Sequence, residues 1–130
     1  MQHAFIKLVP KSVKESITIE DVKDYFTYYR HITSQTGKQL GWEYAENAFP
    51  YEVIQTSDAT LHLKSSHDRY RSIYVGVGTE DEQPFVQLTL PETATFGDKG
   101  KANEFCRFLA KKLEGELRLF NGRTMYFYKR

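Results

Sequence analysis

The stretch ELRLFNGRTMYFYKR, residues 116–130, constrains the fold of this chain more than any other. Asn121-Gly122 stands between two strand-forming runs, and a two-residue connection requires positive φ at both central positions, a conformation that Asn and Gly tolerate. The pattern predicts a β-hairpin closed by a type I′ turn. In that register Leu117 and Leu119 share a face with Thr124 and Tyr126, and Arg118 and Phe120 share the other with Arg123 and Met125.

Further elements precede that hairpin. AFIKLVP, residues 4–10, is a first strand ended by Pro10. Thr18 and Asp21 have the spacing of a capping box, with Ile17 and Val22 placed as a hydrophobic staple. Ile19, Val22, Tyr25, Phe26, Tyr29 and Ile32 then recur at helical spacing on one stripe, opposite Glu20, Lys23, Asp24, Thr27 and His31. Gly37 is the expected C-cap of this helix. YEVIQT, ATLHLK, YRSIYVGVG and PFVQLTLP read as four strands joined by short turns. Their alternation puts Leu61 and Leu63, then Ile73, Val75 and Val77, then Val86, Leu88 and Leu90 toward a core, with Thr60, His62, Tyr74, Gln87 and Thr89 away from it. A second helix, about 98–114, buries Ala102, Phe105, Cys106, Leu109 and Leu113 and is ended by Gly115.

The expected order is β-α-β-β-β-β-α-β-β in one domain spanning residues 1–130. Hairpin connections dominate and no crossover pattern calls for a parallel sheet. The fold class is therefore α+β: a single antiparallel sheet of about six or seven strands with two helices packed on it.

Composition narrows the functional classes. Nine Tyr, nine Phe and one Trp suit a strand-rich chain. Net charge is +1, which makes no strong claim on nucleic acid or membrane. Residues 97–130 nevertheless hold nine Lys/Arg against four Asp/Glu. No run approaches a membrane span, the N-terminus lacks a signal-peptide pattern, and one cysteine excludes an internal disulfide, so a cytoplasmic protein is expected.

FGDKGKANEF, residues 96–105, places Gly97, Lys99, Gly100 and Lys101 at a helix start, where free amides and two ammonium groups could hold a phosphate or carboxylate. It is not a nucleotide loop, since two residues separate the glycines where a Walker motif has four, and Ala102 replaces the hydroxyl. The plainer reading has Asp98 as a cap and both lysines in water. Arg118, Arg123, Lys129 and Arg130, with Lys111 and Lys112, lie among Phe108, Phe120, Tyr126 and Tyr128, a mixture that on a sheet can track a single strand of nucleic acid. The alternative is a solvated helix face beside an aromatic hairpin. His62 and His67 lack a third ligand at useful spacing, and Cys106 falls within a buried stripe; no catalytic, metal or cofactor set is assembled.

The segment TFGDKGKANEFCRFLAKKLEGELRLFNGRTMYFYKR, with AFIKLVP and GW upstream, resembles a family of small single-domain proteins from Gram-positive, spore-forming bacteria, catalogued as a domain of unknown function. The resemblance implies a bacterial, cytoplasmic α+β protein and supplies no activity or site residues. The expected function is a non-enzymatic binding or protein-interaction module, acting on itself or another protein, with no cofactor. The alternative is binding of a phosphorylated ligand or single-stranded nucleic acid through residues 97–101 and the basic hairpin.

Overall fold

The computed structural model describes residues 1–40 and 48–129. The elements are β1 (Gln2–Lys7), α1 (Ile19–Leu40), β2 (Glu52–Ser57), β3 (Thr60–Lys64), β4 (Ser72–Glu80), β5 (Gln83–Leu90), α2 (Phe96–Leu113), β6 (Glu116–Arg118) and β7 (Thr124–Tyr126). They occur in the order expected from the sequence and build one antiparallel sheet of seven strands, ordered β2-β3-β4-β5-β1-β6-β7. β2 to β5 form a meander of hairpins. β1 lies between β5 and β6, pairing Ile6 with Val86 on one side and Leu117 on the other.

Alternation does what the pleat requires. Ala4, Ile6, Leu61, Leu63, Ile73, Val75, Val86, Leu88, Leu90 and Leu117 all face one side and enter a single core with both helices. α2 contributes Ala102, Phe105, Cys106, Leu109 and Leu113, and α1 contributes Ile19, Val22 and Phe26. Phe26 meets Phe105 edge-on at 5.4 Å between centroids, and Phe49 meets the same ring at 5.4 Å. Part of the aromatic content thus forms a seam where the two helices meet.

α1 starts at the predicted capping box: Thr18 N donates to Asp21 Oδ2 at 3.0 Å and Asp21 N to Thr18 Oγ1 at 3.1 Å. Three turn expectations need correction. α1 does not stop at Gly37 but continues to Leu40; a glycine inside a helix costs only about 1 kcal/mol, which does not oblige the helix to end. At the end of α2 the left-handed residue is Glu114, with φ 50° and ψ 52°, and not Gly115. Gly115 is small for a different reason: a Cβ there would lie 2.8 Å from the Lys7 carbonyl oxygen.

The third correction is the hairpin itself. Leu117 pairs with Met125 and Arg118 with Thr124, one residue out of the predicted register. Gly122 N donates to Leu119 O, Leu119 N to Arg123 O, and only Gly122 of the pair has positive φ, at 86°. This is a three-residue loop with a glycine bulge, and it brings Met125 instead of Tyr126 toward Leu117. The two-residue turn with two left-handed residues occurs elsewhere, at Asp81 (φ 50°) and Glu82 (φ 65°) between the paired Glu80 and Gln83.

Candidate functional site

Among the described residues α1 and α2 lie on one side of the sheet, and neither covers the other side. Strand register arranges its residues in rows. One row runs Ile54, His62, Tyr74, Thr89, His3 across β2, β3, β4, β5 and β1. The next runs Thr60, Gly76, Gln87, Phe5, Arg118, Thr124, and a third contains Gly78, Phe85, Lys7, Glu116 and Tyr126.

Aromatic rings organise this face. His62 stacks on Tyr74 with centroids 4.5 Å apart and planes 10° apart, and its Nε2 is 2.5 Å from Ser72 Oγ. Burial, followed by the charge of Lys64, lowers the His62 imidazole from its ordinary value, which favours the neutral ring. Phe5 and Phe85 meet edge-on at 5.8 Å in the centre. The Phe85 ring lies across Gly78, where any Cβ would stand 2.7 Å from its Cζ. His3 Nδ1 is 2.9 Å from both Thr89 Oγ1 and Gln87 Nε2. Charges on the face stand opposite one another by register: Lys64 faces Glu52, and Lys7 faces Glu116.

The start of α2 is organised around Asp98, whose carboxylate has no water contact. Asp98 and Thr95 form a capping box: Thr95 N donates to Asp98 Oδ2 at 3.0 Å and Asp98 N to Thr95 Oγ1 at 3.0 Å. The same carboxylate accepts the Tyr51 hydroxyl at 2.5 Å, Arg71 N at 3.0 Å and Ser72 N at 3.1 Å. Burial pushes the Asp98 pKa up, and the bonds from Thr95, Tyr51, Arg71 and Ser72 outweigh it, so the group sits below the ordinary carboxyl value. Burial also raises the Tyr51 phenol above its usual range, reinforced by Asp98. The positive end of α2 is therefore met by a carboxylate of the chain itself.

The residues singled out around Asp98 have separate surroundings. A Cβ on Gly97 would lie 2.4 Å from the Arg69 carbonyl oxygen, so this glycine permits a close packing of α2 on the β3–β4 loop. Gly100 borders open space. Lys99 sits over the exposed Phe96 ring at 5.4 Å, and Lys101 pairs with Glu104 at 3.1 Å. Arg118 lies on the bare sheet face, Arg123 pairs with Leu119 at the hairpin end, Lys129 lines a groove against the helices, and Arg130 lies outside the described residues. Tertiary structure thus distributes the basic third of the sequence over different surfaces. His62 and His67 are on β3 and the following loop, and among the described residues no three His, Cys, Asp or Glu groups are placed to hold a metal. Cys106 is fully buried and burial pushes its thiol up to about 12, which keeps it protonated and unreactive. No helix among the described residues is long and apolar enough to cross a membrane.

Strand alternation alone puts His62, Tyr74, Gln87 and Thr89 on a solvent side, and the structure adds Phe5 and Phe85 to them. The signal was present in the parity of each strand; what was missing was that β1 pairs with β5, which sets the two rings side by side.

An open antiparallel sheet, helices on one face and a mixed aromatic and polar surface on the other, defines an α+β domain whose broadest feature is a surface. The chain belongs to the family described as Domain of unknown function (DUF1885), which matches residues 2–129. It is similar to a solved structure described as a protein of unknown function from Bacillus stearothermophilus, with 46% identity, a TM-score of 0.64, and coverage of 88% of this chain and 92% of that one. No curated protein matches the chain.

Proposed function

We propose that this chain is a protein-interaction module whose bare sheet face is the docking surface, and that a second copy of the chain is its first partner. The observation that supports this reading is that, among the described residues, α1 and α2 lie on one side of the sheet and Phe5, Phe85, Tyr74 and His62 on the other. Aromatic residues set among polar ones are the composition of recognition surfaces, where rings fill the centre and polar groups the rim. Seven strands at about 4.8 Å spacing make a face roughly 30 Å across, the scale on which stable interfaces are built.

Charge favours a protein over a nucleic acid on this face. A phosphate chain needs cations in excess, whereas on this face Lys7, Lys64 and Arg118 are matched in number by Glu52, Glu80 and Glu116. A balanced face is self-complementary, because a two-fold axis can set each lysine against a glutamate of the other copy.

Sedimentation velocity over a wide concentration range tests the reading. The expected result is a species of about twice 15.2 kDa, reduced to one of 15.2 kDa by Tyr74→Glu, a change on an exposed side chain. A strict monomer at high concentration overturns self-association. A salt-sensitive rise in fluorescence anisotropy with a short single-stranded RNA or DNA redirects the reading to nucleic acid.

A further inference from the structure

A groove with a volume of about 840 Å³ lies away from the sheet face, on the helical side. Its walls are aromatic. Tyr28 of α1 and Phe108 of α2 lie nearly parallel, 17° between planes and 6.3 Å between centroids, and Phe127 from the C-terminal segment forms another part of the lining. Its rim is basic. Lys111, Lys112 and Lys129 border it against one carboxylate, Glu114, and the Lys112 ammonium stands 4.5 Å over the Tyr28 ring.

From these two properties together we infer that the groove is a binding site for a small aromatic anion, a molecule with a planar apolar body and a carboxylate or similar acidic head. The body lies along the rings of Tyr28, Phe108 and Phe127, and the head meets Lys112 with Lys111 and Lys129 nearby. Each half of the site selects against ligands lacking the other half. A wholly apolar body draws the ammonium groups out of water with no partner, which carries a desolvation penalty. A bare inorganic anion leaves the aromatic walls unused. Lys111 and Lys112 also occupy the last turn of α2, whose negative end favours charged ammonium groups. The volume is of the size that holds small ligands, and the inference is independent of any contact made by the sheet face.

The test is a titration of the intact chain with 2-naphthoate, read by ¹H–¹⁵N amide shifts, beside its neutral counterpart 2-naphthalenemethanol. The expected result is saturable shifts at Tyr28, Phe108 and Phe127, with the alcohol at least about tenfold weaker. Replacing the exposed Lys112 and Lys129 together (Lys112→Gln, Lys129→Gln) is expected to weaken naphthoate about tenfold at low ionic strength, with amide shifts on the sheet face unchanged. Equal affinity for acid and alcohol, shifts centred on Phe5 and Tyr74 instead of the groove, or no saturable shift overturns the assignment.

Discussion

Asp98 is a full negative charge with no exposure to water, and it is stable there because four groups donate to it: the Tyr51 hydroxyl and the amides of Arg71, Ser72 and Thr95. It ties the start of α2 to the loop before β4 and to the residue before β2. Asp98→Asn keeps the shape but points an amide hydrogen at existing donors, and is expected to destabilise the fold by about 3 kcal/mol in urea denaturation. The pH dependence follows from the direction of its shift. With its folded pKa below the unfolded value, Asp98 adds stability at neutral pH that is lost as pH falls below about 4, where the unfolded chain takes up the proton first. Asp21 is lowered as well, chiefly by its bond from the Thr18 amide, and loses its contribution over the same range. Melting temperatures measured from neutral pH down to about pH 2 should fall more shallowly in Asp98→Asn than in the parent.

At the scale of elements, the two tight hairpins use their residues in opposite ways. Asn121-Gly122 has the composition for a two-residue turn yet forms a three-residue loop, with Gly122 alone at positive φ. Asp81-Glu82 has neither Asn nor Gly and yet places both residues there. Each left-handed residue other than glycine costs about 1 kcal/mol, a penalty that the long β4–β5 ladder sustains. Glu82→Gly is accordingly expected to raise stability by about 1 kcal/mol and Gly122→Ala to lower it by a similar amount, both read as shifts in thermal midpoint. The reason for the β6–β7 register is burial. Leu117 must face the core beside Ile6, and a one-residue loop extension brings the half-buried Met125 opposite it while sending Tyr126 to the outer side.

For the molecule as a whole, β1 is the central fact. It is first in sequence and sits between β5 and β6, so it joins the β2–β5 meander to the β6–β7 hairpin. No strand next to it in the chain is next to it in the sheet. Removing residues 1–7 should therefore abolish cooperative unfolding and near-ultraviolet circular dichroism, because Ala4 and Ile6 leave the core and two sheet edges open inside it. The same strand creates the proposed docking surface, since it carries Phe5 to Phe85 and His3 to Thr89.

What the sequence by itself determined is local. The alternation of Leu61, Leu63, Ile73, Val75, Val86 and Leu88, the helical stripes of α1 and α2 and the Thr18–Asp21 box all depend on neighbours within a few residues, and each was legible in the order of the side chains. The tertiary structure alone decided what depends on distant partners. The position of β1, the register of the last hairpin, the clustering of donors on Asp98 and the separation of Arg118 from Lys129 onto different surfaces are set by packing free energies between segments far apart in the chain, and no local pattern encodes them.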